Sequence, residues 1–167
     1  RHENGVMAVG LDISKYLKKG KNVLAIRTDN RWDYKEKASN SVFQWNDKNF
    51  NANYGGIPKN VWIHFKNELY QTLPLYSNLK TTGTYIYAKD IDVAKRKLNL
   101  HVETEVANES SAVKSGNWEI RVFDAESKLV KTFNKKFSLA AGSKTMLSTQ
   151  ALLMQVNFWN WGYGYLY

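Results

Sequence analysis

Leu98, Leu100, Val102, Thr104 and Val106 alternate with Asn99, His101, Glu103 and Glu105, the two-residue period of a strand with one buried face. That pattern predicts a strand over 97–108, and the apolar run before it predicts another over 84–92. After a polar turn at 108–116, Trp118, Ile120 and Val122 alternate with Glu119, Arg121 and Phe123. Asp124-Ala125-Glu126-Ser127 then turns the chain into a strand over 128–133, and Ala141-Gly142-Ser143 turns it into one over 145–156. Two earlier stretches have the same texture. NVLAIRT at 22–28 puts Leu24 and Ile26 on one face, and KNVWIHF at 59–65 puts Val61, Ile63 and Phe65 on one face. Only the neighbourhoods of 12–16 and 152–156 are compatible with helix, the first for one turn at most.

Between 29 and 58 the chain is polar and aromatic with little period: DNRWDYKEKASNSVFQWNDKNFNANYGGIP. A stretch of that length inside a compact domain is usually functional or disordered. Trp32, Tyr34, Phe43, Trp45, Phe50 and Tyr54 argue for an ordered surface loop. Short strands separated by turn signals at about ten-residue spacing predict an all-β sandwich architecture. The texture changes near Thr81-Thr82-Gly83, from long aromatic loops to regular strands.

Composition adds weight to the β reading, because 23 of the 167 residues are Trp, Tyr or Phe, which suit pleated, half-buried surfaces. A net charge of +9 raises nucleic acid as a partner. The basic residues do not gather as such a surface needs. The runs at Lys15–Lys21, Lys95–Lys97 and Lys135–Lys136 read as turns or strand ends, and no recognition helix or RNA-binding aromatic signature accompanies them. We therefore expect a solvated basic surface and no nucleic-acid partner. The chain has no cysteine, and His2, His64 and His101 stand too far apart for a ligand pair, so neither a metal site nor a cofactor is expected. No apolar run reaches the length of a membrane span. The first residues, Arg1-His2-Glu3-Asn4, show neither Met nor a leader, so the chain reads as cut from something longer.

Three segments resemble a known family. LDISKYLKKGKNVLAIRTDN at 11–30 is similar to the D-I-T-x-x-L-x-x-G-x-N-x-L-x-V-x-x-x-N run of the sugar-binding jelly-roll domain in glycoside hydrolase family 2. NYGGIPKNVWIH at 53–64 is similar to that domain's N-Y-x-G-I-x-R-x-V-x-L return strand, with Lys59 and Asn60 where Arg and a short polar residue are common. Val156–Trp159 through Gly164–Tyr167 resembles the p-x-L-W-s-p-x-x-P-x-L-Y segment near the end of the family's immunoglobulin-like domain, with Gly164 in place of Pro. The three come in the family's order, and the texture resembles the β-galactosidase-like members from gut Bacteroidetes.

The resemblance implies an all-β chain: a truncated galactose-binding-like jelly roll over 1–82, followed by an immunoglobulin-like β-sandwich over 83–167, incomplete at its C-terminal end. Both units would leave unpaired edge strands that tend to pair between chains. It further implies that the two catalytic glutamates of a retaining glycosidase lie in a (β/α)8 barrel elsewhere in the parent protein. This chain would be inactive alone and would pack beside the barrel. Matched residue by residue, the family's sugar contacts fall among Asp47, Asn49 and Asn51, with a second contact near His2 and Glu3. Carboxylates and amides suit that task because they hydrogen-bond hydroxyls in fixed geometry. The expected partner is carbohydrate, and the compartment implied is periplasmic or extracellular. The carboxylates of the second half, Glu103 and Glu105 included, are expected on solvated faces. The alternative reading is a free-standing carbohydrate-binding or structural module, with Trp32–Tyr34 and Trp45–Phe50 as a stacking platform.

Overall fold

The computed structural model describes residues 8–29, 56–57, 59–74 and 79–167. The chain divides into two compact units, Arg1–Phe65 with Tyr76–Leu79, and Lys66–Leu75 with Lys80–Tyr167. The second unit thus takes in residues 66–75, ahead of the change of texture near Thr81.

In the first unit the one regular element among the described residues is a 3-10 turn at Ser14–Tyr16. The Ser14 amide donates to Asp12 Oδ1 at 2.9 Å, an aspartate closing the turn that follows it. That bond holds the Asp12 carboxyl below its ordinary range. Asn22 folds back on the next bend: its Nδ2 donates to the Lys18 and Gly20 carbonyls at 2.8 and 3.0 Å, and its Oδ1 accepts from the Lys18 amide at 3.1 Å. Contrary to the alternating pattern, 22–28 and 59–65 form no strand. A strand exists through its ladder to a neighbour and not through its own sequence. Here the side chains that should face a core stay open, Leu24 at 60% and Phe65 at 84% exposure.

The second unit is all-β and antiparallel. Its strands are β1 (Leu69–Gln71), β2 (Thr84–Asp92), β3 (Lys97–Asn108), β4 (Lys114–Phe123), β5 (Leu129–Leu139) and β6 (Ser143–Met154). β6 pairs with β3 along its full length, from Lys97↔Met154 to Asn108↔Ser143. β2 and β1 share the other side of β3, β2 opposite 97–104 and β1 opposite 106–108. β4 and β5 form a separate two-stranded sheet, with register from Lys114↔Leu139 to Phe123↔Leu129. The neighbourhood of 152–156 is therefore strand through Met154 and not helix, because β6 follows β3 to its end. Lys135 and Lys136 lie inside β5 and not at its end, since the alternation resumes at Phe133 and Phe137.

The two sheets face each other across a core of Val102, Val106, Trp118, Leu139 and Leu147. Val122, Leu153 and Val156 extend it at one end. Of these, Val102, Val106, Trp118 and Val122 are the ones that the alternation in β3 and β4 assigns to the inside. Complete burial of such a side chain contributes about 1.5–3 kcal/mol. Thr104 also points inward; its hydroxyl lies 2.6 Å from that of Thr84, so the buried oxygen is paired.

Glu105 bridges the place where β1 ends and β2 begins. Its amide donates to the Gly83 carbonyl and its carbonyl accepts from the Thr72 amide, both at 2.9 Å. Gly83 has φ +69°, and a Cβ there would sit 2.3 Å from the Pro74 nitrogen, so only glycine fits. At the far end of β3, Asn108 is buried and fully engaged. Its Nδ2 donates to the carbonyls of Ala112, Leu139 and Ala140 at 2.8–3.0 Å, and its Oδ1 accepts from the Ser110 amide and hydroxyl. One amide thus ties the end of β3 to the end of β5.

Candidate functional site

Of the residues that the sequence singles out for sugar contact, His2, Glu3, Asp47, Asn49 and Asn51 all lie outside the described residues, as do the aromatic pairs Trp32–Tyr34 and Trp45–Phe50. Chemistry in the described part can be judged from its carboxylates, its aromatic clusters and its basic groups.

Glu103 and Glu105 share the outer face of β3, and each is occupied. Glu103 Oε1 accepts from the Tyr87 hydroxyl at 2.9 Å, which lifts the phenol above its ordinary range. Glu105 Oε1 accepts from the Thr72 hydroxyl at 2.8 Å and the Thr82 amide at 3.3 Å. Both are half-buried, so the solvated face expected for them is instead a set of built hydrogen bonds. Glu109 accepts from the Tyr70 hydroxyl at 2.6 Å, and Glu119 pairs with Arg121 at 3.2 Å. Asp124 closes the β4–β5 turn by accepting from the Glu126 and Lys128 amides. These are structural assignments. Among the described residues no group of His, Asp and Glu is arranged to hold a metal ion.

Two aromatic clusters accompany them. On the outer face of β2 and β3, Tyr87 stacks on His101 at 5.1 Å with 13° between planes, Tyr85 lies 5.1 Å from Tyr87, and the Lys89 ammonium lies 5.3 Å from the centre of the Tyr87 ring. Cross-strand register explains the stack, because Tyr87 is opposite His101. The rings here cover one another.

The second cluster follows β6. Asn160 and Tyr163 exchange two backbone hydrogen bonds at 3.1 and 3.0 Å around Gly162, whose φ is +81°. The Asn157 amide donates to the Tyr167 hydroxyl at 2.7 Å. Tyr165 stands between Tyr163 and Tyr167, at 5.9 and 5.1 Å. Its hydroxyl donates to Glu126 and accepts from the Ala125 amide, each at 3.5 Å. The tyrosines thus pin a turn that leaves Trp159 and Trp161 facing outward, at 64% and 95% exposure. An open indole on a pinned turn is equipment for contact with an apolar surface or a sugar ring, not for acid–base chemistry. The sequence carried a signal for it in the density of aromatics over 158–167, although the family resemblance there assigns no contact.

The second unit is thus an all-β pair of antiparallel facing sheets in which Glu103, Glu105, Glu109, Glu119 and Asp124 all have hydrogen-bond or ion-pair partners. The chain's relatives are carbohydrate-active. No protein-family model matches the chain. A protein named β-glucuronidase from Formosa agariphila is 31% identical over 169 aligned positions, covering the whole chain but 17% of that protein's length. A solved β-glucuronidase from glycoside hydrolase family 2 is 32% identical, with TM-score 0.56, over 59% of this chain and 10% of its own. The chain is similar to one part of such glycoside hydrolase family 2 proteins, and it spans about a sixth of the length of the curated relative it matches. No helix among the described residues is long and apolar enough to cross a membrane.

Proposed function

We propose that this chain is the non-catalytic accessory region of a family 2 glycoside hydrolase. In this reading residues 1–82 form the later part of a sugar-binding jelly roll and 83–167 an immunoglobulin-like sandwich, both packed beside a catalytic barrel of the same polypeptide. The observation that carries it is the alignment of the whole chain with 17% of a β-glucuronidase. The engaged carboxylates agree, because a retaining mechanism needs two free ones flanking the scissile bond. Asp47, Asn49 and Asn51, with His2 and Glu3, are the residues assigned to the sugar. The turn bearing Trp159 and Trp161 is assigned to the contact with the rest of the protein, an exposed aromatic surface being typical of interfaces.

The substrate of the parent is a β-linked sugar. The names of the relatives favour a β-glucuronide, and the sequence texture a β-galactoside. Export to the periplasm or the cell exterior goes with that reading. Incubation of the purified chain with aryl β-glucuronides and aryl β-galactosides should release no phenol above the uncatalysed rate. Turnover that co-purifies with the chain and scales with its concentration overturns the accessory reading.

A further inference from the structure

The outer face of β2, β3 and β6 is set by ladders inside the chain, for β3 has a partner along both edges. Two cross-strand rows run over it. Tyr85, Glu103 and Ser148 make the first, and Tyr87, His101 and Gln150 the second. Side chains directly opposite one another in such rows lie about 4.5–5.5 Å apart at Cβ. Each row therefore brings a phenol ring on β2, a carboxylate or imidazole on β3 and a hydroxyl or amide on β6 within reach of one another.

Tyr87 is held from three sides: by its hydrogen bond to Glu103 Oε1 at 2.9 Å, by the His101 ring at 5.1 Å and by the Lys89 ammonium at 5.3 Å. Tyr85 leans on it, with centroids 5.1 Å apart and 31° between planes, and stays 62% exposed. Around this fixed pair lie polar groups with no partner. Among the described residues no hydrogen bond reaches the Tyr85 hydroxyl, the His101 ring nitrogens, Glu103 Oε2 or the Gln150 amide. His101 and Glu103 are half-buried, and with Asn99 and Glu105 they form a polar stripe along β3. An apolar partner laid on that stripe would leave each such group buried without a hydrogen bond, at about 1–3 kcal/mol apiece. An open ring beside unpaired donors and acceptors instead matches a ligand with an apolar face and a rim of hydroxyls. Because the ring and the groups on β3 are already held in place, little is left to order on binding.

We propose that this face binds carbohydrate, a β-linked chain of pyranoses with equatorial hydroxyls that runs across the strands. Equatorial hydroxyls leave C–H bonds over the flat of each ring. One ring lies on Tyr85 while its rim exchanges hydrogen bonds with Glu103 and His101. The neighbouring ring meets Gln150, two strand spacings or about 10 Å from β2. The inference does not rest on the glycosidase reading.

The test is titration of the purified 167-residue chain with cellohexaose, followed by the NMR shifts of the His101 ring protons, on wild type, Tyr85→Ala, Tyr85→Phe and Gln150→Ala. A His101→Gln variant tells the His101 signals from those of His2 and His64 by their loss. In wild type these signals should move and saturate. Tyr85→Ala removes the ring and should raise Kd about tenfold, whereas Tyr85→Phe keeps it and should stay within about threefold. Gln150→Ala should raise Kd about fivefold. Tyr85 and Gln150 are exposed, and far-UV circular dichroism of each variant should match wild type. His101 signals that do not move overturn the proposal. So does a Kd indifferent to Tyr85→Ala, which would put the sugar on other aromatic residues of the chain. Either result leaves the glycosidase reading standing, because that reading is judged on aryl glycosides.

Discussion

Arg96 and Val156 hold each other by two reciprocal hydrogen bonds: the Val156 amide donates to the Arg96 carbonyl at 3.0 Å, and Arg96 Nε donates to the Val156 carbonyl at 3.0 Å. The guanidinium also reaches the Gln155 carbonyl at 3.2 Å and Asn157 Oδ1. One side chain in the β2–β3 turn thus fixes where the chain goes after β6, and hence where the aromatic turn begins. Arg96 does this from φ +50°, a conformation that costs a residue with a Cβ.

Replacing Arg96 should therefore separate two effects. Arg96→Ala loses the clamp and keeps the backbone cost, and should lower stability by about 1–2 kcal/mol. Arg96→Gly loses the same bonds but relieves the backbone, so its loss should be smaller by roughly 0.5–1 kcal/mol. Urea unfolding of the two variants beside wild type checks the order. Equal losses would show that the positive φ carries no strain.

Asn108 sets a second expectation. Its amide donates to three carbonyls inside the unit, so Asn108→Asp would turn a carboxylate oxygen towards them. We expect Asn108→Asp to cost more than Asn108→Ala, which should itself cost about 1–3 kcal/mol. Burial would raise the new carboxyl's pKa in the fold, so its stability would be greatest below the unfolded pKa and lost as pH rises through the folded one. Relative to wild type, the aspartate variant should melt closest at pH 4 and furthest below at pH 7.

The Tyr87 phenol has its pKa raised, chiefly by its hydrogen bond to Glu103. For a group raised in the fold, the contribution to stability is complete below the unfolded value of about 10 and fades as pH climbs past the folded one. In a spectroscopic titration Tyr87→Phe should remove a late-ionising tyrosine, and Glu103→Gln should move that ionisation to lower pH. An unchanged titration curve for Glu103→Gln would break the link between the two residues.

The extent to which the sequence announced this structure varies by element, for physical reasons. β3 spans 97–108 as the alternation implies, because one of its faces meets the core, and β2 spans 84–92 as expected although none of its residues is buried. Trp118 and Val122 are inside for the same cause. The periodicity at 22–28 and 59–65 was equally plain and produced no strand, since alternation reports a preference for a half-buried face and cannot supply a neighbour. Arg96 was invisible in the sequence: its partners are about sixty positions away, and a lysine-rich turn around it reads as solvated. The expected sugar contacts rested on resemblance alone, and they lie outside the described residues.

The central claim, that this region shapes the sugar site of a family 2 glycosidase, is tested most directly by kcat/KM of the full-length enzyme carrying Asn49→Ala or Asn51→Ala, measured beside its melting temperature. Loss of one hydrogen bond to a sugar hydroxyl should lower kcat/KM about fivefold, more where the bond tightens in the transition state, with the melting temperature unchanged. An unchanged kcat/KM at both positions would contradict the account and leave the loop as scaffold.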